Sequence, residues 1–132
     1  MAFTHSLPDA ARRHLQAADE LERGHRRDVA GYLYGIAAEC AVKQMVISLR
    51  IPDEHSKKAI HYAHFPELRT MLRDTFQGRS ARGAWASIIH HAFMNNWSIA
   101  MRYADTTQIR GEWVDAWRDQ ARRVVGVMEA DA

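Results

Sequence analysis

The sequence has little of what disulfide-rich, strongly charged or membrane-spanning proteins require. Its single cysteine, Cys40, cannot form an intramolecular disulfide, which is typical of a protein from a reducing compartment. The formal net charge is only +2, so no strong overall field marks the chain as a nucleic-acid or membrane binder. Glu39 and Lys43 interrupt the longest apolar run before it reaches the roughly 18 residues of a membrane span.

The sequence also lacks the common targeting and metal-binding motifs. Its first residues do not contain the apolar core of a secretion signal, and neither CxxC nor HExxH occurs. Because a zinc site needs three or four convergent ligands, we expect neither a metal nor a cofactor. Strand-like alternation, internal repeats and low-complexity segments are missing as well. Together these absences predict a cytoplasmic all-α protein with no membrane segment.

Residues 28–50 form the most informative stretch that is present. They are apolar around most of a helical circumference, which predicts a long helix enclosed by other helices rather than a surface helix. Gly31 and Gly35 are expected to let neighbouring backbones approach closely. The ionic exceptions, Glu39 and Lys43, lie one turn apart in the favourable acid-before-base order. Burial would require each of these charges to find a partner.

Helical periodicity, capping residues and breaks divide the rest of the chain. Ser6 is expected to cap the first helix, and either Thr106 or Thr107 is expected to cap the last. Helices are predicted at residues 7–24, 28–50, 65–78, 84–104 and about 109–128, with connections at 51–62 and 77–83. The prediction is a single domain over residues 1–132, with its core at about 7–128, folded as an antiparallel up-and-down bundle of four to five helices.

Three pieces of sequence carry a resemblance to a known family. Residues 37–43, AAECAVK, place an acid and a lysine four positions apart among small residues. Residues 64–72, HFPELRTML, indicate a short helix introduced by a histidine, and the third piece is the pair Arg102–Tyr103. In this order, across about residues 10–128, they resemble the HEPN family, the higher eukaryotes and prokaryotes nucleotide-binding domains. The resemblance implies a four- to five-helix bundle, often a homodimer with polar residues gathered between the protomers.

The resemblance implies three alternative functions. Many members of the family are ribonucleases of toxin–antitoxin or defence systems, while others bind nucleotides or serve as partners of small nucleotidyltransferases. The nucleases use an arginine followed, after four to six residues, by a histidine, but here Thr107, Gln108 and Ile109 stand at that spacing after Arg102. We therefore expect a divergent, non-catalytic protein that binds RNA or a nucleotide. The alternatives are a metal-independent ribonuclease that uses Arg102 with a displaced histidine, and an interaction module for a nucleotidyltransferase.

The ligand-binding candidates are polar residues on the two long predicted helices and at the end of the second. A guanidinium can grip a phosphate in a forked geometry, and Glu39 and Lys43 reach the same region if the two helices pack together. The candidates are Glu39, Lys43, Arg102, Tyr103 and Asp105. The structural alternative is that Arg102 pairs with Glu39 or Asp105 and only stabilises the bundle.

Histidine supplies further catalytic candidates, because imidazole titrates near neutral pH and suits acid–base cleavage of RNA. The catalytic candidates are Arg102, His64 and His90, of which His90 is expected in the middle of a helix. The structural alternatives are that His64 caps or packs at a helix start and that His90 bonds to a neighbouring helix.

The charged and aromatic residues of the outer helices allow both a binding and a structural interpretation. Arginines cluster in the first and last helices and would form a basic surface if those helices lie side by side. Acidic residues are interleaved with them, however, which favours a mixed-charge face. The tryptophans fall at helical spacing, which favours a core or a dimer seam over a platform for stacking bases.

Overall fold

The structure, a computed structural model, describes residues 2–49, 60–76 and 83–130. Within these ranges every regular element is helical, which confirms the predicted all-α class. The α-helices are α1 (Leu7–Arg23), α2 (Arg27–Ser48), α3 (Glu67–Thr75), α4 (Ala84–Ile88) and α5 (Gly111–Ala130). Two 3-10 helices, Ile99–Tyr103 and Thr106–Gln108, lie between α4 and α5.

Helix α1 begins and ends where the sequence predicts. The Ser6 hydroxyl accepts a hydrogen bond from the Asp9 amide at 3.4 Å, so the first turn has the expected serine cap. At the other end, the Gly24 amide donates to the Glu20 carbonyl at 3.0 Å and closes the helix. Ala11 and Ala18 are fully buried, which places the small-residue face of α1 against the core.

Helix α2 is buried over most of its circumference, as its composition predicts. It packs against both α1 and α5, and a single stripe that runs from Val29 to Ile47 remains partly exposed. The buried residues are Ala30, Gly31, Tyr34, Gly35, Ala37, Ala38, Glu39, Ala41, Val42, Lys43, Met45 and Val46. Two ionic residues are therefore part of the protein interior.

The glycines of α2 accommodate aromatic rings rather than the neighbouring backbones that we expected. A Cβ on Gly35 would overlap the indole ring of Trp97, and one on Gly31 would lie 2.9 Å from the Trp117 ring. The Trp97 Nε1–H also donates to the Gly31 carbonyl at 3.2 Å. Each ring fills a slot that only glycine leaves open, and the two tryptophans are core residues, 2% and 1% exposed.

The predicted long helix over residues 84–104 is wrong. The α-helix ends at Ile88, and residues 89–96 form turns in which Met94 and Asn96 have positive φ angles of 53° and 70°. The chain continues through an extended Ser98 into the 3-10 helix Ile99–Tyr103. The apolar spacing of this segment therefore does not correspond to one face of a continuous helix.

Side chains from other helices explain this interruption, because they take the backbone groups that a continuous helix would use. Arg73 donates to the Ile89 carbonyl at 3.0 Å, and Arg69 donates to the Phe93 carbonyl at 2.6 Å. The Met94 amide donates to Gln120 Oε1 at 2.7 Å. The turn is thus held by α3 on one side and α5 on the other.

The connection to α5 also differs from the prediction. Asp105, rather than Thr106 or Thr107, acts as the cap: its Oδ1 accepts from the Thr107 amide at 2.8 Å. It caps the short 3-10 helix, and α5 begins only at Gly111. Ile60 is helical and buried although it falls in a predicted loop, while the loops expected at 51–59 and 77–82 lie outside the described residues.

A balanced ionic network joins α1, α2 and α5, as the mixed-charge interpretation predicts. Arg118 donates to Glu22 at 3.0 Å, and Arg122 donates to Asp19 at 2.8 Å. The Tyr34 hydroxyl lies 2.7 Å from Asp19 Oδ1 and 2.6 Å from Glu22 Oε2, and its proton is shared between them. The acids and arginines neutralise one another here, so the junction is structural and does not form a basic surface.

Tyr34→Phe is expected to lower stability by about 1–2 kcal/mol at pH 7, because two carboxylates lose their hydroxyl donor. Burial, followed by the hydrogen bonds to Glu22 and Asp19, raises the pKa of Tyr34 above its ordinary value of 10.0. The folded state therefore keeps a proton that the unfolded state loses. Above pH 10 this group's contribution to stability falls by about 1.4 kcal/mol per pH unit.

Urea unfolding followed by circular dichroism at pH 7, 9 and 11 measures this contribution. The gap between wild type and Tyr34→Phe should narrow from pH 9 to pH 11, whereas Tyr62→Phe, at an exposed position, should match wild type throughout. A gap that stays constant or widens at high pH would contradict the assignment.

Candidate functional site

The charged pair of α2 lies in the interior and meets the loop that precedes α3. Glu39 is 2% exposed and Lys43 is 8% exposed, as expected for an enclosed helix. Glu39 Oε1 lies 2.9 Å from His64 Nδ1, and Glu39 Oε2 accepts from the Phe65 amide at 2.8 Å. One buried carboxylate thus binds both a side chain and a backbone group of the same loop.

Two opposing effects act on the pKa of the Glu39 carboxylate. Burial raises the pKa of Glu39, while hydrogen bonds from His64 and Phe65 and the charge of Lys43 lower it. Burial likewise lowers the pKa of Lys43, and the negative charge of Glu39 opposes that change. Each charge therefore favours the ionised form of the other, because both groups are largely removed from water.

His64 combines a fixed ring with access to solvent. Its side chain is 43% exposed, although the carboxylate that binds it is 3% exposed. When Nδ1 donates to Glu39, the neutral ring has its lone pair on Nε2, which can take up a proton. A buried carboxylate that orients a histidine in this way is the arrangement that acid–base catalysts use.

Other basic groups surround this pair. The charge of Lys43 contributes to the lowered pKa of His61, after burial and the charge of His5, and the rings of His5 and His61 stack at 5.3 Å. We call Glu39, Lys43, His61 and His64 the Glu39 cluster. It holds one acidic and three basic side chains.

The expected meeting of Arg102 with this pair does not occur. Arg102 is exposed, lies 5.3 Å above the ring of Tyr103, and lines a cavity of about 230 Å³ with Asp28 and Tyr32 near the start of α2. Glu39 is seven residues beyond Tyr32, which is about 10 Å along a helix axis. The reason is the broken helix, since the chain crosses α2 at Trp97 and then turns away.

The other residues near Arg102 do not complete a site around it. Among the described residues, no ion pair joins Arg102 to Asp105, whose carboxylate instead accepts from the Thr107 amide and hydroxyl. These hydrogen bonds lower the pKa of Asp105. Tyr103 is 83% exposed, so Arg102 and Tyr103 form an open surface pair.

His90 occupies a bend after α4, not the middle of a helix. Its Nδ1 accepts from the Ala92 amide at 3.1 Å, so it bonds within its own turn and the expected bond to a neighbouring helix is wrong. Its ring lies 4.2 Å from that of His91. His90 therefore belongs to a different part of the molecule from the Glu39 cluster.

Phe65 is the contributor to the site that the sequence did not reveal. It supplies a backbone amide, which any residue but proline carries, so its identity gives no signal. His64, in contrast, was a candidate from the sequence alone, because a histidine precedes the predicted short helix. Its hydrogen bond to Glu39 is seen only in the structure. In the described parts of the chain, no group of three or more His, Cys, Asp or Glu residues is placed to hold a metal ion.

The fold and this site define an all-α protein with a buried carboxylate that orients a solvent-accessible histidine. None of the described helices is long and apolar enough to cross a membrane. Comparison of the chain with protein-family models, with curated proteins and with solved structures finds no match.

Proposed function

We propose that this chain is a divergent HEPN-like bundle protein that binds RNA or a nucleotide, and that the Glu39 cluster contacts the phosphate. The observation that carries the proposal is the hydrogen bond between Glu39 and His64. It joins two of the three pieces of sequence that resemble the family, residues 37–43 and 64–72. A lysine one turn away and an accessible imidazole supply the positive groups that phosphate requires.

The electrostatics of the cluster favour an anion over a cation. Glu39 is occupied by His64 and the Phe65 amide, so both of its oxygens already accept hydrogen bonds. Lys43 and the ring nitrogens of His61 and His64 remain as possible contacts. Affinity is therefore expected to fall with rising salt, as it does for ionic contacts to phosphate.

Fluorescence anisotropy with a labelled single-stranded RNA tests the proposal, together with thermal shift in millimolar nucleotide at pH 6. His64→Ala should weaken binding by about tenfold, since one charge-assisted contact is worth on the order of 1.5 kcal/mol. His25→Asn is the matched control, because His25 is an exposed histidine with a positive φ of 64°, which asparagine tolerates. Absence of binding, or equal binding by His64→Ala, would refute this role of the cluster.

The ribonuclease alternative is favoured by one observation, the orientation of His64. With Nδ1 held by Glu39, Nε2 is suited to remove the proton of a ribose 2′-hydroxyl, which then attacks the adjacent phosphorus while the 5′-oxygen leaves. Incubation with mixed RNA tests it directly. Cleavage that His64→Ala abolishes would make the protein an enzyme, and cleavage lost only in Arg102→Ala would assign the chemistry to the other end of α2.

A further inference from the structure

A separate cavity of about 340 Å³ lies between the segment that begins at α4 and the second half of α5. None of the residues that line it belongs to the Glu39 cluster. Its walls are mostly apolar and include Ile88, Phe93, Val124 and Val127. Its volume is in the range of small-molecule sites, which are typically apolar with a few placed polar groups.

The polar groups of this cavity present donors. Gln120 Oε1 already accepts from the Met94 amide at 2.7 Å, so the NH₂ group of Gln120 is the part that remains available. His90 Nδ1 accepts from the Ala92 amide, which leaves the proton of the neutral ring on Nε2. Arg123 carries donors only. The cavity therefore offers an amide, an imidazole and a guanidinium, all suited to an acceptor.

The charge of the cavity is also one-sided. Among the described residues that line it, none has a carboxylate, and Arg123 has no carboxylate within 4.0 Å in that part of the chain. The other two arginines of α5 differ, because Arg118 is paired with Glu22 and Arg122 with Asp19. An arginine without a counter-charge beside an apolar cavity is complementary to an anion that has an apolar body.

We propose that this cavity binds a small amphipathic monoanion, a carboxylate on an aryl or alkyl body. The carboxylate pairs with Arg123, and the body lies among Ile88, Phe93 and Val127. Roughly 30 Å³ per water-sized group gives a ligand of on the order of ten non-hydrogen atoms. The proposal does not depend on the function of the Glu39 cluster.

Calorimetric titration of the intact chain with 4-phenylbutyrate and with its neutral amide tests this ligand class. The carboxylate should bind at least about tenfold more tightly than the amide, because only the carboxylate makes a charge-assisted pair. Arg123→Gln should remove that preference and leave amide binding unchanged. Arg110→Gln is the control, since Arg110 is an exposed arginine just before α5 that does not line the cavity.

A second variant fills the cavity instead of changing its charge. Val127→Trp should weaken both ligands about tenfold or more, with a circular dichroism melt showing that the chain still folds. No binding of either ligand at millimolar concentration, equal binding of the two by wild type, or a carboxylate preference that survives Arg123→Gln would overturn the proposal. So would a dimer, measured by light scattering, that Val127→Trp abolishes, since the occupant would then be a second copy of the chain.

Discussion

Gly35→Ala is expected to lower the free energy of unfolding by about 3 kcal/mol, although alanine is the better helix former. Gly35 lies in the interior of α2, where the intrinsic preference for alanine would add up to about 1 kcal/mol of stability. The added Cβ would overlap the Trp97 indole, which is buried and hydrogen-bonded to the Gly31 carbonyl. A rigid ring in a packed core cannot move aside without loss of that bond and of its contacts, so overpacking outweighs propensity.

Gly126→Ala is the matched control for this prediction. Gly126 lies in α5, and nothing stands within 4 Å of the position that its Cβ would occupy. The same substitution should therefore stabilise the protein there by about 0.5–1 kcal/mol. Chemical denaturation of both variants measures the contrast. Equal effects of the two substitutions would contradict the placement of Trp97 over α2.

Trp97→Leu tests whether the indole ring of Trp97 causes the loss of stability expected for Gly35→Ala. It should be destabilising by itself, because a large buried side chain is replaced by a smaller one. In the double variant with Gly35→Ala, however, the loss of stability should be smaller than the sum of the losses in the two single variants. The new methyl group then faces the space left by the indole ring. Strict additivity would mean that Gly35 and Trp97 do not touch.

Glu39→Leu is the second large effect that we expect, a loss of about 3 kcal/mol. The variant removes both acceptor oxygens, so the buried Phe65 amide loses its partner and His64 loses its anchor. It also removes the negative charge that opposes the desolvation of Lys43. Removal of one member of a buried charged pair is costly because the other charge remains in the interior.

The pH dependence of Glu39→Leu distinguishes the charge effect from lost packing. Burial lowers the pKa of Lys43 below its ordinary value of 10.5, so the unfolded state binds more protons than the folded state between the two values. Stability therefore rises with pH in that window, by up to about 1.4 kcal/mol per unit. Without Glu39 the pKa of Lys43 falls further, and the variant should regain stability as the pH rises toward 10.5.

Lys43→Met in the Glu39→Leu background should abolish this rise and recover part of the loss, because it removes the unpaired charge while keeping a similar volume. Urea unfolding of wild type, Glu39→Leu and the double variant at pH 7, 8, 9 and 10 provides the comparison. A Glu39→Leu variant whose stability does not change with pH relative to the double variant would show that Lys43 is not desolvated.

A helix could be predicted from the sequence where the contacts that define it lie within its own residues. Ser6 and Gly24 mark the two ends of α1, and each forms its hydrogen bond with a residue three or four positions away. The residues that determine where α1 begins and ends are therefore close together in the sequence. The composition of residues 28–50 predicted burial over most of the circumference, and α2 is buried over most of it. In each case the information lies within the helix itself.

The helix predicted over residues 84–104 is wrong for the opposite reason. Their apolar spacing is compatible with a helix, but the carbonyls of Ile89 and Phe93 bind the guanidiniums of Arg73 and Arg69. Those arginines are 16 and 24 positions away in the chain, so the residues of the segment itself do not predict these hydrogen bonds. The homodimer and the family membership stay predictions, because they concern surfaces and relatives rather than contacts within this chain.

The amino-acid order alone determined that this is a helical protein and that Glu39 and Lys43 would be buried, since they lie on a helix that is apolar over most of its circumference. Only the tertiary structure decided which groups bind the carboxylate of Glu39. The sequence predicted Arg102 as the partner, but the chain packs Trp97 against Gly35 and Arg102 lies near the start of α2. His64 and the Phe65 amide take its place, because a hydrogen bond is settled by three-dimensional proximity and not by distance along the chain.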